Sequence, residues 1–311
     1  MLSKILKLNR NFVSFLLYGV AIALILLQFH SKLHTDYDWG AAGLLAIGMA
    51  CLAGYSQWIS FFNRTHYFEF FSLIAFALLV PDFSNFSYFA GFLFLTIVAL
   101  QLLDEFDLSD KLLSPFDIGF FMAIACFLHP PFWIFAGFLL LHYILLGRVM
   151  LRGLIWCILG ISTFLLLTAE VAILFNFTDL APYLWDRFTP QVSLHFNINY
   201  LWLSPILAFT ILGLNDYTQN INRHSAEKKL VFFNAIMFIP FEVLYTILYA
   251  NESQYAILFY AIPVAIILTN YCMYAKTKLK EIVLFGFIIS ILLYKYAHLI
   301  KLPGVLNDIS F

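Results

Sequence analysis

The chain alternates long apolar runs with short polar interruptions, and that rhythm is its strongest signal. Crossing about 30 Å of hydrocarbon takes about 20 apolar residues in helical form. Runs of that order lie at 12–29, 41–62, 67–81, 87–103, 116–129, 131–146, 154–175, 197–214, 230–249, 255–274 and 282–300. The pattern predicts an all-α fold, a polytopic transmembrane helical bundle of about 11 spans, in one domain over residues 1–311. Runs 67–81 and 116–129 are short, and the second reaches only ~21 Å as a straight helix. The stretch 116–146 is open to two readings: two short helices shielded by neighbours, or a re-entrant hairpin around His129-Pro130-Pro131. Irregular backbone at depth needs cover from protein or water. Either reading returns the chain to the same side.

Composition agrees with the pattern. A soluble domain carries roughly 25% charged residues; this chain carries 11%, with 63% apolar residues and a mean hydropathy of +0.89. A net charge of −1 argues against nucleic acid, which requires a basic face. The 36 Phe residues read as filling and belt material in lipid. Cys51, Cys126, Cys157 and Cys272 all lie inside apolar runs and form no C-x-x-C pair. They read as small hydrophobes, suggesting neither zinc nor a disulfide framework. At the N-terminus, Lys4, Lys7 and Arg10 precede the apolar stretch Phe12–Phe29, as in a secretory signal. That stretch is longer than a usual signal core and lacks a small-x-small cleavage site, so it reads as an uncleaved first span.

Threading the runs in order partitions the positive charges. Lys4, Lys7, Arg10, Arg64, Lys111 and Arg148 fall on one side, followed there by Arg152, Arg223, Lys228, Lys229, Lys276, Lys278 and Lys280. Only Lys32, Arg187 and Lys301 fall on the other, and Lys295 lies inside a run. Positive residues stay cytoplasmic, so the expected orientation is N-terminus cytoplasmic, C-terminus periplasmic, in a bacterial inner membrane. The external stretch 176–196 is long enough for one amphipathic helix on the membrane surface. The cytoplasmic loop 104–117 is acidic and reads as solvated, with a partner contact as the alternative.

Ionisable residues inside spans are the first place to look for function, because a charge facing lipid costs at least ~2.5–3.5 kcal/mol. Glu170, Glu242 and Lys295 lie at similar depth, roughly 8–11 Å below the outer boundary. They are expected to form a buried polar cluster in an outward-facing cavity. The plainer reading lets Lys295 snorkel to the interface and leaves the two acids protonated or hydrogen-bonded to neighbouring helices. Pro240 precedes Glu242 by two residues, and Pro205 and Pro263 sit in neighbouring spans. Prolines loosen helices around transport cavities and also serve plain packing. Tyr245 and Tyr249 follow Glu242 on the same helical face.

The first external loop contains Asp36-x-Asp38. Paired carboxylates suit a divalent metal chelated by a diphosphate, or one can act as a base. As a simple alternative they cap a helix. His129 can meet phosphate, relay a proton, or cap a helix broken by the following prolines; His142 reads as packing. No nucleophile-elbow, zincin, phosphate-loop or haem motif is present.

The stretch Asp117-Ile-Gly119 to His129-Pro-Pro131, a following span, and the pair Arg148 and Arg152 resemble the layout of GT-C-type integral-membrane glycosyltransferases. That resemblance covers residues 10–175 loosely. It implies a polyprenyl-phosphate lipid carrying a saccharide, with a catalytic Asp in the first external loop, here Asp36 or Asp38. His129 and Arg187 would then meet substrate phosphate. The short first loop and the lack of a soluble C-terminal domain depart from that family. The whole chain resembles more closely a polytopic inner-membrane family of Bacteroidota-type bacteria. Asn63-Arg64-Thr65, the acidic loop before Gly119, the Arg148/Arg152 pair and Ile262-Pro263 carry this second resemblance. It implies a bacterial inner membrane and no particular reaction. Three functions stay open: a GT-C-like enzyme, with no cofactor beyond a possible divalent metal; a subunit of an envelope or secretion complex, with protein partners; and an ion-coupled transporter or flippase.

Overall fold

The computed structural model describes residues 2–7, 11–29, 35–56, 65–103, 113–145, 148–177, 180–190, 192, 198–221, 226–249 and 253–297. Among them the fold is helical, with no strand. A short α1 (Leu2–Ile5) leads into α2 (Asn11–Phe29), α3 (Asp36–Ser56), α4 (Tyr67–Leu79) and α5 (Phe86–Leu103). Then come α6 (Pro115–Leu128), a 3-10 turn Pro130–Phe132, α7 (Trp133–Leu145) and α8 (Arg148–Leu174). The surface helix α9 (Leu180–Phe188) precedes a second 3-10 segment, Ile198–Leu203. The chain continues through α10 (Ser204–Asn220), α11 (Ala226–Leu248), α12 (Ser253–Tyr274) and α13 (Thr277–Lys295). Each apolar run of the sequence therefore forms a helix. Among the described residues five helices are long and apolar enough to cross a membrane, within Phe12–Phe29, Asp36–Gly54, Leu151–Leu174, Lys229–Leu248 and Gln254–Tyr274.

Helix boundaries differ from the apolar runs where polar residues cap or extend them. α3 begins at Asp36 instead of 41 because Thr35 and Asp38 form a reciprocal cap. The Thr35 amide donates to Asp38 Oδ2 at 3.0 Å, and the Asp38 amide donates to Thr35 Oγ1 at 3.2 Å. Ser114 and Asp117 do the same for α6, with Pro115 in its first turn. Asp117 is thus a capping residue within the stretch the sequence marks as acidic. The remainder of that acidic stretch, 104–112, lies outside the described residues, as do Lys32, Arg64, His195 and Lys301.

Position in the bundle explains how a short helix is accommodated. All 13 residues of α4 are buried, and α12, α2, α3 and α13 surround it. At ~1.5 Å per residue α4 cannot span the hydrocarbon, and protein covers it on every side instead. The stretch 116–146 forms two helices joined by the buried Pro130–Phe132 turn. α9 packs on that turn, and the rings of Tyr88 and Tyr245 contact Phe132 at its end.

Cross-helix hydrogen bonds gather at the two ends of the bundle. At the end that holds α1, Ser3 donates from its amide and hydroxyl to Glu281 Oε1 at 3.1 and 2.7 Å. There too Tyr67 donates to Ser3 O, and the His66 amide donates to Leu6 O. At the opposite end Tyr88 donates to Tyr255 O at 2.9 Å and Lys295 Nζ donates to Val80 O at 2.8 Å. Every one of these bonds joins residues that alternate threading places on the same side.

One contact is tighter than side chains allow. α6 and α8 touch backbone to backbone: a Cβ on Gly119 would lie 2.1 Å from Cys157 O, and one on Gly160 would lie 2.1 Å from Phe116 O. Gly119→Ala and Gly160→Ala must each push the helices apart. Each is expected to cost about 1–3 kcal/mol, the usual range for overpacking, and to lower the melting temperature in detergent. Gly19→Ala, which meets nothing within 4 Å, is expected to be neutral in the same measurement.

Candidate functional site

Along α11 and the residue that follows it, Asn234, Phe238, Glu242, Tyr245 and Tyr249 form one buried stripe beside the buried Val231, Phe232 and Ala235. Spacings of three and four residues put them on one side of the helix, over ~22 Å of its length. Four of the five are polar, and three of those four make hydrogen bonds to other parts of the chain.

The rung nearest the α1 end is Asn234. Its Nδ2 donates to Leu102 O at 2.8 Å, which turns Oδ1 toward His142 Nδ1, also at 2.8 Å. The imidazole proton on this nitrogen is thereby fixed on Nδ1. Tyr245 OH lies 3.2 Å from His129 Nε2, and His129 itself ends α6. Tyr249 forms the last rung. Its hydroxyl accepts from Trp133 Nε1 at 2.7 Å and donates to Phe188 O at 2.8 Å, which fastens α9 to the bundle.

Glu242 sits between the two histidine rungs. Its side chain is 1% exposed, and neither carboxyl oxygen has a hydrogen-bond partner among the described residues. Thr246 Oγ1 is spent on the Glu242 backbone carbonyl at 2.8 Å, and Tyr260 on α12 stands within electrostatic reach. Prolines flank this level on both helices. Pro240 leaves the Ile236 carbonyl without its helical donor, and Pro263 does the same to Phe259. A cavity of about 20 Å³ lies between Asn234, Phe238, Phe138, Leu102 and Pro263. That volume holds at most a single water-sized molecule.

The structure separates the three ionisable residues that matching depth suggested would meet. Glu242 faces the core, whereas Glu170 is exposed on α8. Neither acid makes an ion pair among the described residues. Lys295 donates to the carbonyl of Val80, the residue that caps the C-terminus of α4, and lies 4.9 Å over the Phe29 ring. A cation at a helix C-terminus is favoured by the helix dipole. Equal depth does not place residues on facing sides, and here they point to different neighbours. Asp36 is exposed, and Asp38 is the α3 cap. His129 is buried on Tyr245, and Arg187 is exposed on α9, so the structure does not bring these two together.

A second buried polar group escaped the sequence reading. His66 Nδ1 lies 3.1 Å from both Ser14 Oγ and Glu69 Oε2, with all three residues buried. A Ser–His–acid relay needs the nucleophile and the acid on different ring nitrogens. Both contacts here use Nδ1, so the group joins α2 to the start of α4 and does not activate the serine. Glu69 lies inside the apolar run 67–81, so the search for ionisable residues in spans could have found it. Asn234 carries no charge and gave no comparable signal.

Asn234→Leu is expected to strand His142 Nδ1 and the Leu102 carbonyl, and Tyr245→Phe to strand His129 Nε2. An unsatisfied buried polar group costs about 1–3 kcal/mol, so both variants should melt below wild type in detergent. Val243→Ala, on the exposed side of α11, should change stability far less.

No curated protein and no solved structure matches the chain. The family of unknown function DUF6427 matches residues 1–303, and the chain belongs to that family.

Proposed function

We propose that this is a multi-span protein of the bacterial inner membrane, with its N-terminus cytoplasmic, that acts as an ion-coupled transporter with the proton as coupling ion. The observation that carries this reading is Glu242: a fully buried carboxyl group with no hydrogen-bond partner, level with prolines on two adjacent helices. An unpaired charge in such a place costs several kcal/mol. Glu242 therefore holds a proton in this conformation and releases it only when water or a cation reaches it. Two histidines are held along the same stripe, His142 on Asn234 and His129 on Tyr245. Intramembrane acids placed in this way mark proton relays in pumps and transporters.

A GT-C-like role draws less support. One carboxylate oxygen of Asp38 is engaged in capping α3. The envelope-complex reading rests on a different observation: the long apolar α8 is only 11% buried along its span-length window.

The test is proton flux into proteoliposomes carrying a pH-sensitive dye, driven by an imposed potassium diffusion potential. Wild type is expected to acidify the lumen faster than protein-free vesicles, and Glu242→Gln to reduce the rate to the vesicle background. Equal rates for the two proteins above the vesicle background would exclude Glu242 as the group that carries the proton.

A further inference from the structure

At the α1 end of the bundle, lysines gather where a helix is least suited to hold them. α13 opens at Thr277 with no side-chain cap on its first amides and no acidic residue in its first turn. A helix N-terminus already carries about half a positive charge. Lys278 and Lys280 lie in that opening stretch, and Lys276 precedes it. Lys280 is only 5% exposed, and its Nζ donates to Met273 O at 3.2 Å, back across the turn that joins α12 to α13. A helical side chain leans toward the N-terminus of its own helix, so this ammonium is carried toward the open amides. Lys7, just past α1, stands beside it. Burial first, and then the Lys7 ammonium, pull Lys280 below the usual lysine range. The neighbouring acid does not answer this charge, because Glu281 Oε1 takes the amide and hydroxyl of Ser3. The Met273 carbonyl meets one of the three N–H donors of Lys280. Orientation in a membrane requires lysines near the span ends, and exposed ones serve it; it does not call for a buried lysine with a second cation against it.

We propose that this corner of the bundle binds a phosphate group, held by Lys280, Lys7 and the first amides of α13. Phosphate answers each feature of the corner. Its oxygens accept from ammonium and amide donors alike. Its negative charge offsets the helix dipole and the paired lysines together. Two sources can supply it. An anionic phospholipid would lay its acyl chains along the exposed Ile282, Phe285 and Ile289 of α13; inorganic phosphate would arrive from water.

The full chain, stripped of lipid in detergent, is titrated separately with phosphatidylglycerol and with inorganic phosphate. Bound ligand is counted by native mass spectrometry, and the melting temperature is followed alongside. At least one of the two is expected to bind saturably, one per chain, and to raise the melting temperature. Lys7→Met changes an exposed side chain and should weaken that binding by about tenfold, as for one lost hydrogen bond to a charged group. Lys280→Met should weaken it at least as much. Lys229→Met, near the start of α11 at the same end, should leave it unchanged. Binding of phosphatidylglycerol alone makes this a headgroup site, and binding of inorganic phosphate makes it one open to water; both support the proposal. Saturable binding of neither overturns it. So does a Lys7→Met variant weakened no more than Lys229→Met, which marks diffuse attraction to a basic surface, or a Lys280→Met variant that binds as wild type. If Lys280→Met fails to accumulate, the comparison of Lys7→Met with Lys229→Met decides the matter.

Discussion

Inside a membrane, apolar burial does little to choose among helix arrangements, because lipid tails are as apolar as leucine. Hydrogen bonds between side chains and distant backbone carbonyls choose instead, since an unmet polar group has no water to fall back on. This constraint organises the protein. Lys295 reaches the carbonyl of Val80 just past α4, Tyr88 reaches the first turn of α12, and Asn234 reaches the last turn of α5. Each bond ties an element to one that is remote in sequence, and each fixes a register that phenylalanine packing alone would leave loose.

Glu242 stands out against that background. The polar positions above and below it on α11 are matched to partners, while on α12 the buried Asn270 side chain likewise has neither amide atom hydrogen-bonded among the described residues. The other rungs of the stripe are met with bonds near 3 Å, and one acid is left open between them. The nearby prolines keep the surrounding carbonyls from being fully committed to the helices.

The periodicity of the sequence located the helices well and their ends less well. A capping pair such as Thr35 and Asp38 extends a helix past its apolar run, and Lys278, Lys280 and Glu281 stay helical at the start of α13. Glu242 was legible because an acid within an apolar run is conspicuous. Its separation from Glu170 and Lys295 was not, because depth along a helix is additive in residue number whereas facing depends on how helices pack. Asn234 and the His66 group were harder still. Their importance lies in what they touch, and those contacts join residues far apart in the chain.

The fully enclosed α4 has a consequence for how the protein is made. Its 13 residues include buried Glu69, and α12 and α13, which cover much of it, leave the ribosome long after it does. Until they arrive, α4 is too short to cross the bilayer unaided and has a flank without its final cover. The centre of the bundle is therefore completed from its C-terminal end, and a chain cut short before α12 would lack the wall that makes α4 a core.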